Sequence, residues 1–329
     1  MNRFKILFNT YPVAFQKKGG GEKQIDQYLK YLLEKKIIVE KFDQWSEKQK
    51  VENFDIVHFF SVIPGGAINF LRYAKNQNKK IIISPNIWLE DSSHNEFNQI
   101  KYILHLADII IVNSKIEQEK LSTLFQVNIE KLKVVYNFVD DDYLEKKTKK
   151  NFCKKFNIQK PYILTVGNVE ERKNQNSIIR ILKDYPGLNF VNIGNIRDKR
   201  YLNNLPTENN EIYLIEYLED KELIKSAYLE SELFILPSLC ETPSIAALEA
   251  AALGKKIVIT EVGSTKEYFG KNASYIKPLD DNSINSELKK NIKIKETKTL
   301  STHIQKNFNS KNQMTKLIKI YKNLYENSH

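Results

Sequence analysis

The chain has 329 residues, 41% of them hydrophobic and 28% charged, with a formal net charge of +11. That is enough apolar material for ordinary cores and enough length for two α/β domains, which excludes a disordered chain. No run of about 18 apolar residues is present, which excludes a membrane-spanning helix. Two cysteines, Cys153 and Cys240, offer neither a disulfide framework nor metal-ligand spacing and fit a reducing cytoplasm.

The positive charge has two readings. One is a composition rich in lysine, isoleucine and asparagine. The other is attraction to a polyanion. No nucleic-acid-binding motif is present, so no nucleic acid is expected, and peripheral contact with an anionic membrane is the preferred functional reading.

Short apolar runs alternate with amphipathic segments along the chain. The N-terminal Lys5–Phe8 reads as a first buried strand rather than a leader sequence, and Ile56–Phe60, Lys80–Ser84 and Ile109–Asn113 read as further strands. Glu22–Glu34, Gly66–Lys75 and Glu96–Ala107 carry helical periodicity between them. This grammar predicts βαβ units and a parallel sheet. It restarts at Tyr162–Gly167 and continues through Asn189–Ile193, Glu211–Leu214, Leu233–Pro237 and Lys256–Thr260. The expected organisation is a first Rossmann-like domain over residues 1–142 and a basic linker over 143–160. A second domain follows over 161–308, and a C-terminal helix over 309–329 packs back across both. Asp140, Asp141 and Asp142 read as part of a solvated connector, and His58, inside an apolar strand, as a core histidine.

The segment Leu233–Thr260 is the most informative. It reads as strand, loop, helix, turn and strand, with Thr242 as N-cap, Pro243 at the first helical position and Gly254 at the exit. A helix starting just beyond a strand end presents free N–H groups near Ser244 and Ile245, a ready diphosphate site. Glu241 lies just outside that helix start and Glu249 about two turns inside it. The first can face a sugar at the helix mouth, and the second can accept from a vicinal diol such as a ribose.

On these residues the chain resembles the retaining glycosyltransferases of family 4, the group 1 glycosyltransferases, whose Glu-x7-Glu motif matches Glu241 and Glu249. The resemblance spans nearly the whole chain. It implies the GT-B fold, an α/β architecture of two Rossmann-like domains with parallel sheets facing across a cleft. It also implies Glu241 against the donor sugar and Glu249 on the ribose. Gly167-Asn168-Val169-Glu170-Glu171-Arg172-Lys173 resembles the family's strand-end pattern of basic residues, which neutralise the departing diphosphate. Lys173 matches, Asn168 replaces the usual arginine, and Arg172 stands nearby to compensate. Gly19, Gly20 and Gly21 resemble the family's Gly-Gly-x-Glu element facing the donor phosphates. Gly194 resembles the matching strand end in the second domain, and Val262–Glu267 the family's glycine-containing turn. Asn86 stands where many relatives carry histidine. With Trp88 and His94 it forms the expected acceptor side.

The resemblance implies a retaining transfer of a hexose-type sugar from a nucleotide-diphosphate donor to a glycan or lipid-linked acceptor, without metal or cofactor, at the cytoplasmic membrane face. Cell-surface polysaccharide or lipopolysaccharide synthesis is the expected setting. Two alternatives stay open: a nucleotide-sugar 2-epimerase of the same fold and a non-catalytic sugar-binding protein. A nicotinamide dehydrogenase is excluded, because Gly19-Gly20-Gly21 lacks the required glycine spacing.

Overall fold

The computed structural model describes residues 4–46, 48–206, 212–242, 244–292 and 298–327. The chain divides into two units: Met1–Gln16, Gly21–Asn137 and Ser310–His329 form the first, and Lys17–Gly20 with Phe138–Asn309 the second.

The first unit contains six strands: β1 (Lys5–Thr10), β2 (Ile38–Lys41), β3 (Ile56–Phe60), β4 (Lys80–Ser84), β5 (Ile109–Val112) and β6 (Leu132–Val134). They pair in parallel in the order β2-β1-β3-β4-β5-β6. The chain leaves β1 for β2 on one side and returns to β3 on the other, so the direction of winding reverses between β1 and β3. Strands buried on both faces are mostly apolar. Ile81, Ile82 and Ile83 of β4 are accordingly fully buried.

The second unit repeats the plan with β7 (Tyr162–Val166), β8 (Asn189–Ile193), β9 (Ile212–Ile215), β10 (Phe234–Leu236), β11 (Ile257–Thr260) and β12 (Ser274–Ile276). Their order is β12-β11-β10-β7-β8-β9, again all parallel. Here the winding reverses between β7 and β10. In open sheets of this kind ligands bind beyond the carboxyl ends of the strands at such a reversal.

Three strands escape the sequence reading: β2, β6 and β12. All are sheet edges of three or four residues. Each of the three mixes polar with apolar residues inside its short span, unlike the fourth edge, β9, whose apolar run is continuous and was read. Two further expectations are corrected. The first long helix begins at Gly20 and runs to Glu34, so Gly20 and Gly21 form its first turn, ahead of the start at Glu22 that the periodicity predicts. The first N–H groups of a helix have no intrahelical acceptor, so glycine is tolerated there. The connector is solvated only in part: Asp141 and Asp142 are exposed as expected, and Asp140 departs from that reading. Asp140 is buried, caps the turn Asp141–Tyr143, and shares Lys221 with Asp142 at 3.0 and 2.6 Å.

Residues 143–160 run within the second unit. Their helix Phe152–Phe156 is tied to Ser226 and Glu230 through the Phe152 amide. The C-terminal helix Ser310–Glu326 groups with the first unit, where Tyr321 and Tyr325 pack their rings on Phe4. Tyr321 also hydrogen-bonds His58 Nδ1 at 2.6 Å, and Ser84 meets Nε2 at 2.8 Å. His58 is therefore the satisfied core histidine that its strand predicts. Burial drops its pKa from 6.5 to about 3.

Candidate functional site

The reversal between β7 and β10 brings two chain segments together. After β7 the backbone turns at Gly167, and Gln175 Nε2 bonds the Asn168 carbonyl at 2.8 Å and Asn192 Oδ1 at 3.2 Å. Asn192 Nδ2 in turn donates to the Gly167 carbonyl at 3.1 Å. Gly194 lies against this turn: a β-carbon on it would stand 2.2 Å from the Gly167 carbonyl oxygen, which only glycine avoids. The one-turn helix Glu171–Lys173 follows, ending at Asn174 in the left-handed region (φ 53°). Asn174 Nδ2 donates to the carbonyls of Pro237 and Pro278 at 3.1 and 2.7 Å, pinning this turn to the strand ends beside it.

Lys173 lays its stem over Gly167 and is 9% exposed. Its ammonium donates to Glu241 Oε1, which also accepts from Ser238 Oγ at 2.6 Å. Arg172 Nη1 approaches the same oxygen at 4.0 Å, while Nη2 bonds Glu170 at 3.0 Å. Burial alone would push the Glu241 carboxyl up. The adjacent charges of Lys173 and Arg172 outweigh it and hold Glu241 below the ordinary carboxylate range.

The backbone of Glu241 is gripped from the turn after β11. Its N–H donates to Val262 O at 3.2 Å and its carbonyl accepts from Ser264 N at 3.0 Å. Gly263, at φ 100°, passes so close that a β-carbon there would sit 2.0 Å from the Glu241 carbonyl oxygen.

Beyond Glu241 the chain enters the helix Ile245–Ala252. The expected cap is corrected: Ser244, not Thr242, is the N-cap, its hydroxyl accepting from Ala247 N at 3.3 Å. Ser244 has the extended backbone and the three-residue offset that a capping hydroxyl needs, whereas Thr242 lies two residues too early. Pro243 lies outside the described residues. At the exit, Gly254 adopts φ 82°, its N–H bonds Ala251 O at 2.9 Å, and Lys255 N bonds Ala250 O at 2.9 Å. This is a Schellman stop of the kind glycine favours.

Glu249 is fully enclosed and accepts from Tyr228 Oη at 3.1 Å. Burial first, then the nearby Glu249 charge, push the Tyr228 hydroxyl far above its usual range. The structure thus brings Lys173, Arg172 and Glu241 together, and gives Glu249 a protein hydroxyl as its neighbour.

In the first unit, Asn86 is exposed in the left-handed region (φ 49°) and ends a chain of carboxamides. Its Nδ2 donates to Gln24 at 2.9 Å and its Oδ1 accepts from Asn113 at 3.0 Å. Gln24 continues to Asn113 and Asn137 at 2.9 and 2.8 Å. Gly21 borders this network, and Gly19 directly precedes the helix. Trp88 bonds Glu90 at 2.6 Å through its indole N–H, and Lys120 covers its ring at 4.4 Å. His94 is exposed and accepts from Glu96 N at 3.1 Å, closing a local turn.

Residues 146–322 match the family model described as Glycosyl transferases group 1, and residues 19–143 match that of Glycosyltransferase Family 4. The chain belongs to the group 1 glycosyltransferases. A similar protein is the O-antigen biosynthesis glycosyltransferase WclY of Escherichia coli, 22% identical over 236 residues, 68% of this chain and 65% of that protein. The match thus spans just under two thirds of that relative's length. Among solved structures, sucrose-phosphate synthase from Thermosynechococcus elongatus superposes with a TM-score of 0.79 at 15% identity, covering 98% of this chain and 99% of that one. Anabaena Alr3699/HepE in complex with UDP and glucose gives 0.77 at 15%, covering 97% and 100%. These likenesses show the GT-B fold.

Within this group 1 family member, the sequence reading misses what Ser238 and Gln175 hold at the site. Each is a neutral polar residue near a strand end. Such residues carry no signal until the fold shows what they hold.

Proposed function

We propose that this chain is a retaining glycosyltransferase that moves a hexose-type sugar from a nucleotide-diphosphate donor to a glycan or lipid-linked acceptor, in cell-surface polysaccharide or lipopolysaccharide synthesis. The observation that carries the reading is the Lys173–Glu241 pair at the β7/β10 reversal, beside the start of the Ser244-capped helix. Family membership, the naming of WclY for O-antigen biosynthesis and the UDP and glucose held by HepE support it.

In this reading the donor diphosphate lies between the Lys173 ammonium and the first N–H groups of the Ile245–Ala252 helix, with Ser244 and Ile245 at its edge and Gly167 and Asn168 below. As the bond from the anomeric carbon to the phosphate oxygen breaks, the leaving group gains charge. Lys173, with Arg172 behind it, and the helix start stabilise that charge. The acceptor hydroxyl forms the new C–O bond on the same face and passes its proton to the departing phosphate oxygen. Glu241 orients the donor sugar and holds Lys173 in place. These cations take the role a metal would otherwise fill, so the transfer is proposed to need neither metal nor cofactor. Work at the cytoplasmic face of a membrane, held by the net positive charge, completes the proposal; binding to anionic vesicles that weakens as salt rises is its signature.

The test is product analysis by proton NMR with UDP-, GDP- and dTDP-linked hexoses and a lipid-linked glycan fraction. A glycoside with the donor's anomeric configuration is expected. An inverted product, or a free 2-epimeric sugar with no acceptor consumed, would refute the reading.

A further inference from the structure

The first unit holds a cavity of about 670 Å³ that the donor chemistry does not use. It opens beyond the carboxyl ends of β2, β1 and β3, at the other winding reversal of the molecule. Its floor is aromatic: Phe8 and Phe59 are buried, and Phe15 and Phe42 are half-buried. Around the mouth stand Asn9, Asp43, Gln44 and Trp45, the last 85% exposed.

The backbone that carries the exposed indole is tied locally. Asp43 Oδ1 accepts from Trp45 N at 2.9 Å, while Gln49 accepts from Asp43 N at 2.6 Å and donates to the Lys41 carbonyl at 2.9 Å. A large aromatic kept in water at the rim of a cavity is an available contact surface. The mouth carries no excess of positive charge. Lys41 sits 3.6 Å from Asp26 with its ammonium over the Phe15 ring, and Asp43 adds a further carboxylate. That balance disfavours an anionic headgroup. Aromatic faces ringed by a carboxylate and two carboxamides suit a neutral ligand with an apolar face and a rim of hydroxyls. The volume lies within the range of about 300–1,000 Å³ usual for small-molecule sites.

We propose that this cavity is a carbohydrate subsite taking a neutral pyranose ring, its C–H face on Phe42 and Trp45 and its hydroxyls on Asn9, Asp43 and Gln44. That the ring belongs to the acceptor glycan rests on the glycosyltransferase reading above. The saccharide chemistry does not.

Trp45 and Trp88 are the two tryptophans of the chain, so Trp88→Phe leaves Trp45 as the single fluorescent reporter. The full chain carrying that substitution is titrated with the methyl α-glycosides of glucose, galactose, mannose and rhamnose at millimolar concentrations. A saturable change in Trp45 emission is expected with at least one of them. Adding Asn9→Ala or Gln44→Ala should weaken that response by about fivefold, the loss of one hydrogen bond, with an unchanged circular dichroism spectrum. No saturable response to any glycoside overturns the proposal. So does a response to dioleoylphosphatidylcholine vesicles without one to sugars, which would make the cavity a lipid contact. Nucleotide-sugar binding is measured in the same samples through thermal shift. Loss of that signal with the glycoside response intact counts against the transferase reading and leaves the subsite standing.

Discussion

The Glu241 carbonyl oxygen and Gly263 lie so close that a β-carbon on the glycine would stand 2.0 Å from that oxygen. The contact fixes the backbone from which the Glu241 carboxylate projects toward Lys173. Gly263 also adopts φ 100°, a conformation that side chains rarely accept. Gly263→Ala should therefore cost about 1–3 kcal/mol from backbone strain alone, with more from the clash, and displace Glu241. Chemical denaturation reads the first effect. A fall in kcat larger than the change in donor KM reads the second.

Lys173 and Glu241 form a buried pair whose removal is asymmetric. Lys173→Met leaves a buried carboxylate with the Ser238 hydroxyl and the more distant Arg172 as its remaining partners, a change expected to cost about 3–5 kcal/mol at neutral pH. Lys173→Met with Glu241→Gln should cost less than the single Lys173 change, while both abolish transfer. The sign with pH is defined. Glu241 is depressed in the folded protein, so its contribution is present above its unfolded pKa and is lost as pH falls through the lower folded value. The gap between wild type and Lys173→Met should narrow in acid. Denaturation at several pH values checks it.

The fold was legible where physics makes sequence periodic. Ile56–Phe60, Lys80–Ser84 and Asn189–Ile193 are strands with the bounds the sequence predicts, because parallel strands buried on both faces are mostly apolar, with the few polar members, such as His58 and Asn192, hydrogen-bonded inside. Gly254 was legible for the same kind of reason: a helix stop in the left-handed region selects glycine. The edges β2, β6 and β12 were not legible, since polar residues interrupt their spans of three or four residues, whereas the edge β9 kept a continuous apolar run. In the site, Lys173 and Glu241 carried recognisable spacing, yet their direct pairing is a long-range fact spanning 68 residues. Nor could the sequence choose between Thr242 and Ser244 as cap, because both side chains suit that position chemically and only backbone geometry decides.

That choice has a measurable consequence. Ser244→Ala should destabilise by about 1 kcal/mol through loss of the N-cap, and weaken donor binding at the helix mouth. Thr242→Ala should stay within about 0.5 kcal/mol of wild type. Equal effects from the two would contradict the capping geometry.

His58 gives a pH signature of its own. It is buried neutral with a pKa near 3, against 6.5 when exposed. Below pH 6.5 the unfolded chain binds a proton that the folded chain excludes. Stability contributed by this site is thus complete above 6.5 and falls by about 1.4 kcal/mol per pH unit on the way down. His58→Gln should flatten that part of the profile between pH 6.5 and 5, read by urea unfolding.

The central claim is that a nucleotide diphosphate is held by Lys173 and the start of the Ile245–Ala252 helix. Its most direct test is the melting temperature of wild type and Lys173→Met titrated with UDP-, GDP- and dTDP-hexoses, since a ligand that binds only the folded state raises its stability. At least one donor should raise the melting point of the wild type in a concentration-dependent way, with most of that rise gone in Lys173→Met. An equal rise in both proteins, or none in the wild type with any donor, would contradict the account.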